Sequence, residues 1–300
     1  MPNPDRPTPA LEFNAGPFPR GILIAIGGRE DKNPVSHSDS DLTSNIILRR
    51  FVEELRLAGP VLVVPIASEY PQDAAADYLT LLRALGGAQV EVLDVRERRE
   101  VDTEAHLRLL DEAAGLLFTG GDQLRLTALL GGTRWLRRLK ERYAREPIVL
   151  AGTSAGAAAM SSPMIYQGRD NGGMRKDEIH VTLGLQFLHN VAVDTHFVRR
   201  GRIIRMAQII ATNPGCLGLG LEEDTAVVVT DGCELEVIGS GVVTIVEGQA
   251  STSTNIHLIK SGEPFTVRDL RLHILSCGQR YTLPVPESLS ELAGAVEASS

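Results

Sequence analysis

The chain has 300 residues, 43% hydrophobic and 23% charged, with a formal net charge of −8. That is the composition of an ordinary globular protein, at a length near the upper end for one hydrophobic core. The acidic balance and the lack of a basic run argue against a nucleic-acid partner, and no stretch reaches the ~18 apolar residues of a membrane span.

In chain order, residues 1–20 hold Pro2, Pro4, Pro7, Pro9, Pro17 and Pro19 and no apolar core of a signal peptide, so they are expected to form a flexible leader. Residues 21–28 are a continuous apolar run closed by Gly27-Gly28, the pattern of a strand buried on both faces. Similar runs at 60–66, 115–121 and 147–153, and a further strand expected at 90–95, alternate with helical spacing over 42–57, 71–85, 103–113, 122–130 and 134–143. Strands alternating with helices specify a mostly parallel sheet covered on both faces, with right-handed crossovers. Short strands expected at 226–230, 234–238, 242–246 and 255–259 add a small antiparallel C-terminal sheet. The expected organisation is one α/β domain over 21–284 and a polar tail at 285–300. Within it the polar, glycine-rich stretch 167–178 reads as a loop and a candidate lid.

Ligands of such sheets bind beyond the C-terminal ends of the strands. Gly27-Gly28, Gly120-Gly121 and Ser154 all fall there. The glycine pairs fit neither dinucleotide nor Walker fingerprints, so no nucleotide cofactor is indicated. Cys216, Cys233 and Cys277 are odd in number and widely spaced, which points to reduced thiols in the cytoplasm and to no zinc site.

The stretch Gly152-Thr153-Ser154-Ala155-Gly156 joins a buried strand to an alanine-rich helix former. Glycines on either side allow a sharp strand-to-helix turn that exposes the Ser154 hydroxyl, and the helix aims free N–H groups at it. An oxyanion beside Ser154 could bond the N–H of Ala155. A serine nucleophile needs a base, and the base needs an acid. His196 ends the apolar run 191–197 and is followed by Arg199, Arg200, Arg202 and Arg205, spaced as one face of a helix over 199–206 and able to form a fork for a substrate carboxylate. For the acid, Asp194 and Glu223 compete. Glu222 and Asp224 share one face of a strand expected over 218–226 and Glu223 takes the other, and spacing alone does not choose.

The blocks Ile26-Gly27-Gly28-Arg29-Glu30-Asp31-Lys32, Phe118-Thr119-Gly120-Gly121-Asp122-Gln123, Gly152-Thr153-Ser154-Ala155-Gly156-Ala157, Asp194-Thr195-His196-Phe197 with the following arginines, and Leu219-Gly220-Leu221-Glu222-Glu223-Asp224-Thr225-Ala226 occur in order. Together they resemble the cyanophycinase family, a branch of the dipeptidase E-like serine peptidases. The resemblance implies a three-layer α/β sandwich like that of class I glutamine amidotransferases and flavodoxin. It also implies a homodimeric serine exopeptidase that cuts cyanophycin, a poly-aspartate backbone bearing arginine side groups, into β-aspartyl-arginine.

By that resemblance Ser154 is the nucleophile, His196 the general base and Glu223 the orienting acid. Gly121 and Ala155 supply the oxyanion N–H pair, and Gln123, Asp194, Thr195, Arg200, Arg202 and Arg205 surround the substrate. The family pattern usually has Gln where this chain has Thr195, a shorter side chain with one donor in place of two. The other readings are an aspartyl dipeptidase with the same nucleophile and base, and a polymer-binding homologue without turnover. A class I amidotransferase would need a cysteine at the elbow.

Overall fold

The computed structural model describes residues 18–32, 45–86, 89–168 and 172–284. The expected leader up to residue 17 and the expected tail at 285–300 lie outside the described residues.

Five strands, β1 (Ile22–Ile26), β2 (Val61–Val64), β3 (Val90–Val92), β4 (Gly115–Phe118) and β5 (Val149–Thr153), lie side by side in the order β1-β5-β4-β2-β3. Every pairing among them is parallel. β1, β2, β4 and β5 are mostly apolar because both of their faces are covered, while β3, at the edge, carries Glu91 and an exposed Val92. Leu23 and Ala25 of β1 enter one core cluster, and Ile24 and Ile26 enter another. Helices Ile46–Glu53 and Pro71–Ala84 close the second cluster with Phe51, Tyr78 and Leu82. Helices Gln123–Leu130 and Arg134–Arg145 give Leu126, Leu130, Trp135 and Leu139 to the first. The latter two helices begin where side chains satisfy their first N–H groups. Asp122 Oδ1 accepts from Leu124 N–H at 2.8 Å, and Thr133 Oγ1 from Leu136 N–H at 3.1 Å.

The antiparallel strands Thr225–Thr230, Glu234–Gly239 and Arg280–Thr282 extend the β1 edge and complete an eight-stranded sheet. A second, six-stranded sheet runs in the order Arg271–Ser276, Val242–Glu247, Leu217–Leu221, Val191–Thr195, Ser161–Ser162, Leu188–His189. Its strands Val191–Thr195 and Leu217–Leu221 are parallel. Val193, Leu219 and Ile245 face the first core cluster, while Ala192 and Val246 pack on Met206 and Ile210 of the outer helix Ile203–Thr212.

The antiparallel strands at the C-terminal end are therefore shared between the two sheets. The stretch expected as one strand over 218–226 is two strands, one in each sheet, with 222–224 crossing between them. The strand expected at 255–259 is a turn, because Asn255 Oδ1 accepts from Thr266 N–H at 2.6 Å and its carbonyl accepts from Leu258 N–H at 2.8 Å. The helix expected from residue 199 starts at Ile203; residues 198–202 form a turn in which Arg200 N–H donates to His196 O and Arg202 N–H to Phe197 O, both at 3.0 Å.

Of the candidate lid, residues 169–171 lie outside the described residues, and 172–178 are fastened down. Gln208 Nε2 donates to the carbonyls of Gly173 at 2.9 Å and Arg175 at 2.5 Å, and Lys176 N–H donates to Glu263 O at 2.9 Å.

Candidate active site

Ser154 stands between β5 and the short helix Ala155–Ala159 with φ 51° and ψ −111°. The two glycines of the elbow are required by close packing. A Cβ on Gly152 would lie 2.6 Å from the Gly156 carbonyl carbon, and one on Gly156 would lie 2.4 Å from the Phe118 oxygen. The turn is pinned to the sheet by Ser154 N–H donating to Ile26 O at 3.0 Å.

His196 follows the last residue of the strand Val191–Thr195 and reaches back over β1, where its N–H donates to Gly27 O at 3.0 Å. Its Nε2 is 3.1 Å from Ser154 Oγ, and its Nδ1 is 2.9 Å from Glu223 Oε1. Burial raises the pKa of Glu223, yet the hydrogen bond from His196 and the charges of Arg29 and Arg199 outweigh it and hold the carboxyl below its ordinary value. Glu223 is therefore an acceptor only, so Nδ1 carries the proton and Nε2 is left to accept from the Ser154 hydroxyl. Burial, helped by the nearby Arg200 and Arg202, also holds the imidazole below its usual pKa of 6.5 against the opposing pull of Glu223. A neutral imidazole so placed can take the serine proton.

The three consecutive acids that the sequence leaves in competition have three separate partners. Glu222 Oε2 accepts from the N–H groups of Val198, at 2.5 Å, and Arg199, at 3.0 Å, and so shapes the turn after His196. Glu223 faces the imidazole. Asp224 accepts from Asp31 N–H at 3.0 Å and from the Ser240 hydroxyl at 2.5 Å. Asp194 points elsewhere, into a buried cluster in which Arg202 Nη1 donates to its Oδ1 at 2.9 Å and Arg205 donates to both of its oxygens.

Beside Ser154 opens a polar cavity of about 230 Å³. Gly121, Gln123, Ala155, Asp194, Thr195, Arg200, Arg202 and Arg205 all line it, together with Tyr166, Gln167 and Gly168. Gln123 is oriented by its own bond, Nε2 to Ile165 O at 2.8 Å. Arg202 also reaches Thr195 O at 2.8 Å. Arg200 is exposed on the rim. The site residues expected from sequence thus converge: nine line the cavity, while His196 and Glu223 join it through Ser154.

Sequence reasoning missed Gly28 and Glu30. Gly28 lies directly against the His196 ring, and the only signal for it was a glycine pair at a strand end. Glu30 is buried and accepts from Thr153 Oγ1 at 2.7 Å and from the Tyr78 hydroxyl; it falls in the block 26–32 that carries the resemblance, but no local pattern assigns it a role. Among the described residues no group of three or more His, Cys, Asp or Glu side chains is placed to hold a metal ion, and no helix is long and apolar enough to cross a membrane.

The sequence profile of peptidase family S51 matches residues 34–237. Proteins named cyanophycinase are similar over most of their length. That of Trichormus variabilis is 34% identical over 275 residues, covering 91% of this chain and 89% of its own. That of Geminocystis herdmanii is 34% identical over 282 residues, covering 93% and 98%. That of Synechococcus elongatus is 36% identical over 265 residues, covering 88% and 80%. Among solved structures, a peptidase from an acI-B1 Actinobacterium has the same fold, with a TM-score of 0.62 at 21% identity over 89% of this chain and 98% of that one. The chain belongs to peptidase family S51.

Proposed function

We propose that this chain is a cyanophycinase, a serine exopeptidase that hydrolyses the poly-aspartate backbone of cyanophycin and releases β-aspartyl-arginine. The observation that carries the reading is the Ser154–His196–Glu223 relay at the mouth of an arginine-lined cavity, in a chain similar over 93% of its length to a protein of that name.

In this reading Ser154 Oγ attacks the carbonyl carbon of a backbone aspartyl amide while its proton passes to His196 Nε2. The N–H groups of Gly121 and Ala155 stabilise the oxyanion that forms. Collapse breaks the C–N bond, and the leaving amine takes the proton from Nε2. Water then attacks the acyl-enzyme, giving its proton to Nε2, and the departing Ser154 oxygen takes it back. Glu223 stays ionised throughout and holds the imidazole in the productive tautomer. Arg200, exposed at the rim, supplies a guanidinium fork for a substrate carboxylate, and Gln123 and Thr195 present polar atoms to the same unit. Arg202 and Arg205 reach the substrate from positions fixed by Asp194.

The family resemblance further supports a homodimer. The thiols of Cys216, Cys233 and Cys277, none of them bridged, support a reducing, cytoplasmic setting.

The test is incubation of the purified protein with insoluble cyanophycin, following clearing and identifying the product by mass. β-Aspartyl-arginine as the product supports the reading. Hydrolysis of free Asp-Xaa dipeptides without clearing of polymer would replace it with the aspartyl dipeptidase.

A further inference from the structure

The loop after β1 touches His196 and Glu223 of the relay and reaches Ser154 through its neighbour Thr153. Gly28 lies against the His196 ring. Arg29 Nε is 3.4 Å from Glu223 Oε1. Glu30 Oε2 accepts from Thr153 Oγ1 at 2.7 Å, and Asp31 N–H donates to Asp224 Oδ1 at 3.0 Å. Glu30 is the member that reaches the elbow, since Thr153 immediately precedes Ser154.

Glu30 is a carboxylate with 5% exposure, outside the lining of the substrate cavity. Its Oε1 accepts from the hydroxyl of the buried Tyr78. Lys32 Nζ stands 3.9 Å from that oxygen and 4.2 Å above the Tyr78 ring. A buried carboxyl group is costly unless its oxygens are hydrogen-bonded, so these contacts mark a position where the chain keeps a polar group in place of an apolar one.

What the group acts on is the strained backbone of Ser154. A non-glycine residue in a sparsely populated φ/ψ region is strained and persists only where its surroundings over-determine it. Ser154 N–H to Ile26 O fixes the main chain on one side. On the other, Thr153 is β-branched and stiff at χ1, so a bond from its hydroxyl to a fixed acceptor also fixes the rotation of the strand end that carries Ser154.

We propose that Glu30 is a positioning residue of the relay. Through Thr153 it holds the Ser154 hydroxyl in line with His196 Nε2, while its neighbours in the same loop hold His196 and Glu223. The proposal rests on the reading of Ser154 as nucleophile.

The experiment compares wild type, Glu30→Gln, Thr153→Val and the double variant in kcat, KM and rate of labelling by a fluorophosphonate, with the labelled residue located by peptide mass. Thr153→Val preserves shape and removes the link outright, whereas Glu30→Gln preserves shape and weakens it, because its single amide oxygen accepts from Thr153 or Tyr78 but no longer from each on a separate oxygen. Labelling rate and kcat should each fall roughly 10- to 100-fold, as small misplacements of reacting groups do. KM should stay within about twofold, since substrate contacts are untouched. The double variant should fall no further than the worse single one, because partners in one link are not additive. Thr153→Val decides the matter if Glu30→Gln does not fold. Wild-type kcat and labelling rate in Thr153→Val, or additive losses in the double variant, would overturn the proposal. A wild-type label on any residue other than Ser154 would instead refute the reading on which it rests.

Discussion

A Cβ on Gly28 would lie 2.5 Å from His196 Cε1 and 2.6 Å from Nε2, so the imidazole rests on bare main chain. Gly28 also has φ +98°, a region that L side chains rarely adopt. The glycine pair at the end of β1 is thus the floor under the base. Replacing Gly28 with Ala should displace the ring from Ser154 and lower kcat by roughly 100-fold, with a stability loss of about 1 kcal/mol or more from the strained φ. Steady-state kinetics and denaturant unfolding check the two parts separately, and wild-type kcat in this variant would contradict the contact.

Activity should follow the ionisation of His196. Burial, with Arg200 and Arg202, holds its pKa below 6.5 against the bond to Glu223. The rate should therefore be lost as pH falls through a midpoint below 6.5, where the protonated ring no longer accepts from Ser154. Arg200→Gln removes one of the opposing charges and should move this acid limb upward, alongside a higher KM if Arg200 binds a substrate carboxylate. The sign for stability follows from the same shift. Between the lowered native pKa and the unfolded value the unfolded chain binds more protons, so the contribution of His196 is complete above 6.5 and lost as pH falls through the native value. A pH profile of kcat/KM for both proteins measures the limb.

Glu223→Gln should lower kcat by about 10⁴-fold, because an amide can donate to Nδ1 and select the wrong tautomer. Arg29 and Arg199 lie 3.4 and 3.5 Å from the Glu223 oxygens, but their side chains are 65% and 61% exposed. Exposed pairs of that kind contribute about 0–1 kcal/mol. Arg29→Ala and Arg199→Ala should each change kcat by less than about tenfold, and a larger fall would mean that these arginines do more than hold the Glu223 charge.

Asp194 is 2% exposed between Arg202, 9% exposed, and Arg205, 5% exposed. Asp194→Asn would remove the carboxylate charge that faces two buried guanidinium groups, at a cost of about 3–5 kcal/mol. Urea unfolding of this variant should show the loss at unchanged m-value, and a midpoint equal to wild type would show that the cluster does not depend on the carboxylate charge.

Much of this site could be read before folding. Ser154 was legible because an elbow leaves a local signature of two small residues on either side of it, and His196 because an apolar strand turns polar at its end. Glu223 was not legible from spacing. It lies on the crossing between two sheets, at 222–224, and the alternation that assigns faces within a strand stops there. The parallel strands β1, β2, β4 and β5 were plain in their apolar runs, and β3 less so because Glu91 and Asp94 interrupt its stretch. The sheet that receives Thr225–Thr230 was not, since its pattern is equally suited to either. Residues 255–259 alternate as a strand would, yet the side chain of Asn255 captures Thr266 N–H and makes a turn. Glu30 and Tyr78 meet across 48 positions, and no local rule links them.

The measurement that tests the central claim most directly is turnover of insoluble cyanophycin by the wild-type protein and by Ser154→Ala under identical conditions. The account predicts clearing with release of β-aspartyl-arginine by the wild type, and a rate lower by roughly 10⁴- to 10⁶-fold in the variant. Comparable clearing by both proteins would contradict the assignment of Ser154, and with it the relay through His196 and Glu223.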